Sequence, residues 1–145
     1  MIPAGYGEGG GIGIESVNNL KVHDVTVYDT DGIDNSNMSG LHCLSSSNIE
    51  IYNSVFYDNY DRTAADTGGI TSANSTNLVF FGGGNISVHD CLIYETKPPL
   101  ATENTGGCVK YKAAASDPAV YFDVYNNVFR NCKFFAVNSA PVQRP

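Results

Sequence analysis

A short motif recurs four times in this chain, and the recurrence limits the fold more than any other feature. It reads Asn19-Leu20-Lys21-Val22-His23-Asp24, then Asn48-Ile49-Glu50-Ile51-Tyr52-Asn53, then Asn85-Ile86-Ser87-Val88-His89-Asp90. The fourth copy, Tyr121-Phe122-Asp123-Val124-Tyr125-Asn126, opens with Tyr in place of Asn. A second short apolar run follows each copy: Val25-Thr26-Val27, Val55-Phe56, Leu92-Ile93 and Val128-Phe129. A glycine with an apolar residue behind it precedes them, as Gly11-Ile12, Gly40-Leu41, Gly69-Ile70 and Gly107-Cys108-Val109. Each run is too short for a helix and alternates as a strand with one buried face does. Three such strands per repeat, at a period near 30 residues, cannot bury their apolar side chains alone and must stack as coils.

The coils are expected over residues 11–137, after a glycine-rich leading segment (1–10) and before a tail (138–145). The third coil is expected to begin at Gly69, with Thr71 to Gly84 as an extra segment whose triple glycine makes a protruding turn. Ala113 to Pro118 reads as an insertion in the fourth coil. Asn53 and Asn126 at the bends are expected to hydrogen-bond from coil to coil, a role that Asp24 and Asp90 fit less well because a carboxylate has no donor.

With Gly-apolar strands ahead of it, the run N-[I/L/V]-x-[I/V]-x-[N/D] resembles the repeat of right-handed parallel β-helix proteins, the pectate-lyase-like superfamily. The resemblance covers nearly the whole chain. It implies an all-β, right-handed parallel β-helix of about four to five coils with three short strands each. It also implies a carbohydrate-active protein, a polysaccharide lyase or glycoside hydrolase acting on an extracellular polysaccharide. The alternative on the same fold is a non-catalytic module for glycan binding, adhesion or fibre assembly, because a scaffold does not set a function. Four coils at about 4.8 Å each make a stack of only about 20 Å. Open ends on so short a stack point to self-association or to a larger parent protein.

Composition narrows the partners. The net charge of -7 supplies no basic patch for phosphates, which argues against nucleic acid. No apolar run reaches membrane-spanning length, so no membrane partner is expected. The segment Met1-Ile2-Pro3-Ala4-Gly5 has neither a basic nor an apolar signal region, although the implied substrate lies outside the cell. Cys43, Cys91, Cys108 and Cys132 lack metal-site spacing and read as interior thiols.

Three groups of residues carry the candidate chemistry. In Asp29-Thr30-Asp31-Gly32-Ile33-Asp34 the carboxylates of Asp29, Asp31 and Asp34 flank a glycine turn, a spacing suited to calcium. The segment 30–34 is similar to one in polygalacturonase-type hydrolases, where an Asp is catalytic, which implies that role for Asp31 or Asp34. Where that family carries Gly-Asp-Asp in the next coil, this chain reads Tyr57-Asp58-Asn59-Tyr60-Asp61. Asp58 and Asp61 leave the same corner one coil higher, and paired carboxylates there suit glycoside hydrolysis. Tyr57 and Tyr60 offer flat surfaces for sugar rings, and Arg62 sits beside the acids. The third group, Lys110 and His42, faces outward from the Gly-led strands. The resemblance to β-helix lyases implies that one of them abstracts the proton α to a uronate carboxylate while calcium neutralises that carboxylate.

Overall fold

A computed structural model describes residues 8–30, 37–59, 76–96, 107–112 and 121–137. Among them are thirteen strands and no helix. Each coil begins with one strand of sheet A: β1 (Glu8–Glu15), β4 (Asn37–Leu44), β7 (Thr76–Phe81), β10 (Gly107–Lys112) and β13 (Lys133–Val137). Sheet B holds β2 (Asn18–His23), β5 (Ser47–Tyr52), β8 (Gly84–His89) and β11 (Phe122–Tyr125). Sheet C holds β3 (Thr26–Tyr28), β6 (Val55–Tyr57), β9 (Leu92–Tyr94) and β12 (Val128–Arg130). Strands join only to the equivalent strand of the coil above or below, and every pairing is parallel. The protein is a three-sided parallel β-helix of four coils plus one strand.

Register places like on like. Leu20, Ile49, Ile86 and Phe122 form one interior row, and Val22, Ile51, Val88 and Val124 the next. Val27, Phe56, Ile93 and Phe129 line the third side. Only the middle coils are closed from both directions. Leu41, Ile51, Phe56, Leu78, Phe80, Val88 and Ile93 are wholly buried, while Leu20, Val22, Phe122 and Val124 at the ends are partly exposed. Each buried side chain of this size stabilises the stack by about 1.5–3 kcal/mol.

The corners explain the polar residues of the repeat. Asp24, Asn53, Asp90 and Asn126 all turn the chain with positive φ, between 49° and 55°. Asn and Asp tolerate that left-handed conformation equally, so Asp24 and Asp90 are as well suited as the asparagines. The expected amide ladder is not at this corner. It runs instead through the start of sheet B, where Asn48 Nδ2 donates to Asn18 Oδ1 (2.7 Å) and Asn85 Nδ2 to Asn48 Oδ1 (2.9 Å). Behind two corners a serine ties coil to coil: Ser46 Oγ accepts from Val17 N, and Ser54 Oγ accepts from Val25 N.

The third coil differs from the expectation. Its sheet A strand is β7, with Leu78 paired to Leu41 and Phe80 to Cys43. The triple glycine makes the next corner and lies flush against the coil below. A Cβ on Gly83 (φ 90°) would stand 1.9 Å from the Ser46 carbonyl oxygen. Gly69-Ile70 lies outside the described residues, as does the segment 113–118. Two cysteines also depart from the interior-thiol reading: Cys108 and Cys132 are joined as a disulfide, whereas Cys43 and Cys91 are free and buried.

Candidate functional site

The first two corners are short in the first three coils, but the third corner, after sheet C, is where long segments leave. Residues 29–36, 58–75 and 95–106 all connect sheet C to the next sheet A strand. Each begins with an acid behind a tyrosine: Tyr28-Asp29, Tyr57-Asp58 and Tyr94-Glu95. The tyrosines are in register, so the three acids stand in a column, one per coil. Asp29 N donates to Tyr57 O and Asp58 N to Tyr94 O, which fixes the two roots as neighbours, as the sequence suggested.

Inside this corner runs a buried polar column. Thr30 donates through N and Oγ1 to Asn59 Oδ1 (3.3 and 3.1 Å). Asn59 Nδ2 donates to Val27 O and to Asn77 Oδ1, and Asn77 Nδ2 donates to Glu95 Oε1 at 2.8 Å. Asn59, Asn77 and Glu95 are at most 1% exposed. Burial, and then the neighbouring Asp58 carboxylate, push the Glu95 carboxyl up to about 8, against the weaker opposite pull of the Asn77 amide. Asp58 is itself held from above, its two oxygens accepting from Thr96 N and Thr96 Oγ1 at 2.7 Å each.

The outer face of sheet A borders this corner. His42, Val79 and Lys110 are successive members of one row. They are 9%, 1% and 6% exposed, yet none belongs to the interior cluster, so at this row β4, β7 and β10 are buried on both faces, whereas Gly13 of β1 is exposed. His42 and Lys110 are therefore two strand spacings apart, roughly 10 Å. The imidazole lies over Gly13, where a Cβ would stand 2.9 Å from its Cε1. Among the described residues neither ring nitrogen has a hydrogen bond. Glu15 Oε1, 3.6 Å from Nε2, is close enough for ion pairing but beyond hydrogen-bond reach.

The other expected residues divide as follows. Tyr57 is stacked between Tyr28 (5.0 Å, 3°) and Tyr94 (4.8 Å, 8°), so both ring faces are occupied and it presents its edge and hydroxyl. Asp29 is exposed at its corner. Asp31, Asp34, Tyr60, Asp61 and Arg62 lie outside the described residues. Among the described residues no group of three or more His, Cys, Asp or Glu side chains is placed to hold a metal ion. Sequence reasoning missed Glu95, although the Tyr-acid pair repeated behind sheet C was a signal for it.

Sheet B carries a second file of rings, His23, Tyr52, His89 and Tyr125, with centroids 4.7–5.4 Å apart. Each histidine is anchored by the aspartate that follows it, at 2.8 Å in both coils. Glu50 joins Lys21 (2.6 Å) to His89 (3.2 Å). The stack agrees with a structural role for both histidines. No protein-family profile, curated protein or solved structure matches this chain.

Proposed function

We propose that this chain is the β-helix of a pectate-lyase-like carbohydrate-active protein, working on an extracellular polysaccharide through the outer face of sheet A beside the third corner. The observation that supports the reading most is the outward row that holds His42 and Lys110. Neither nitrogen of the buried imidazole makes a hydrogen bond among the described residues, which suits a proton-transfer role; the net charge of -7 repels an anionic sugar, so such a substrate would need a cation to mediate. Asp58 and Glu95 add a carboxyl pair at the border, and the acidic segment 29–34 is where calcium would assist. The disulfide suits an oxidising compartment.

The test is incubation with uronate-containing and neutral polysaccharides, with and without calcium. New reducing ends report either reaction, whereas ultraviolet absorbance of an unsaturated uronate reports elimination alone. Failure of every polysaccharide to be cut removes the enzymatic reading.

A second reading, an assembling module, draws on the last coil, where Tyr125, Val128 and Phe129 are 48%, 60% and 41% exposed. A sedimentation coefficient that stays monomeric at all concentrations would remove it.

A further inference from the structure

Glu95 combines features that are costly separately. Its side chain is sealed from solvent, one oxygen is held by Asn77, and Oε2 has no hydrogen-bond donor among the described residues. Register sets it one coil above Asp58, whose carboxylate already accepts two hydrogen bonds from Thr96. An ionised, sealed carboxylate against a second carboxylate would be repelled at low dielectric, with only the Asn77 amide and the Asp58 backbone N–H to offset it. A proton on Oε2 removes both problems, because the acid then donates to Asp58.

We propose that Glu95 and Asp58 share one proton, and that this proton is a clasp joining the roots of the segments that begin at residues 58 and 95. The clasp has three donors on one carboxylate: Thr96 N, Thr96 Oγ1 and Glu95 Oε2–H. Among the described residues the Asp58 carboxylate is the charged group that acts on Glu95, and the Asn77 amide and the Asp58 backbone N–H are the neutral ones that oppose it. When base removes the proton to solvent, two adjacent carboxylates remain and the Thr96 contacts must give. Glu95 and Thr96 are then no longer clasped to Asp58 in the coil below, while the sheets, whose hydrogen bonds involve no titrating group, stay paired. The corner beside sheet A thereby acquires a sensitivity to alkaline pH that the rest of the coil lacks.

Carbon-13 carboxyl NMR from pH 4 to 10, combined with amide hydrogen exchange at Thr96, tests this directly. The Glu95 resonance is expected to stay at its protonated position through pH 6 and to move with a midpoint near 8. Thr96 protection should fall over the same interval in the wild type and persist in Glu95→Gln, whose amide keeps a donor. Should that variant not fold, Asp58→Asn serves, and the Glu95 midpoint should move down. A Glu95 midpoint near 4.5, or Thr96 protection that falls identically in Glu95→Gln, would overturn the proposal.

Discussion

A Cβ on Gly40 would lie 2.6 Å from Nδ2 of Asn59, the amide that holds the third corner to the strand below. The glycine of the Gly-apolar pattern is thus the space into which the corner side chain folds. Gly11 is similarly crowded, with Val27 Cγ1 at 2.4 Å from its would-be Cβ. In the third coil the equivalent residue is Asn77, which itself carries the polar column onward.

Gly40→Ala is therefore expected to destabilise the fold by about 1–3 kcal/mol through overpacking. Gly84→Ala, whose Cβ would meet nothing closer than Ser47 Oγ at 3.8 Å, should change stability by about 0.5 kcal/mol or less. Urea titration of the two variants checks the contrast.

Tyr52 is stacked on His23 at 4.8 Å and on His89 at 5.4 Å. Aromatic pairs of this kind are worth about 0.5–1.5 kcal/mol each. Tyr52→Ala should cost about 1–3 kcal/mol by thermal or urea unfolding, and Tyr52→Phe, which keeps both stacks, much less.

The Glu95 carboxyl gives stability a pH slope of definite sign. Its value rises from 4.5 to about 8 on folding, so in that window the folded state holds a proton that the unfolded state has released. Stability is full below pH 4.5, falls by up to about 1.4 kcal/mol per pH unit as pH rises, and levels off above 8. The difference in unfolding free energy between wild type and Glu95→Gln should follow this slope. A difference that is flat with pH would contradict it.

Cys108 and Cys132 close a separation of 24 residues and tie the last corner to β10. Denaturation without reductant should expose two alkylatable thiols, Cys43 and Cys91, rather than four. Cys108→Ser with Cys132→Ser should cost about 3 kcal/mol on the chain-entropy account.

The coil was legible in the sequence because its signals are local: alternation, spacing, and an Asn or Asp at each corner. The start of the third coil was not. Gly69-Ile70 repeats the earlier offset of 29, yet the strand is β7, whose Asn77 replaces the glycine that the pattern leads one to seek. Alternation also cannot show that an outward row is covered, so His42 and Lys110 read as outward-facing although they are buried. For Glu95, Tyr94-Glu95 matched Tyr57-Asp58 in plain view. That its longer side chain turns inward to Asn77 depends on packing between coils distant in sequence. That both faces of Tyr57 are stacked was hidden for a related reason: repetition puts a tyrosine above it and another below.

The most direct measurement is the depolymerisation rate of His42→Gln beside the wild type and Tyr52→Phe, on whichever polysaccharide the wild type cuts fastest, with folding checked by circular dichroism. If the outer face of sheet A carries the chemistry, His42→Gln loses about a hundredfold or more while Tyr52→Phe keeps its rate. Equal rates in all three proteins, or no polysaccharide cut by the wild type, would contradict that assignment.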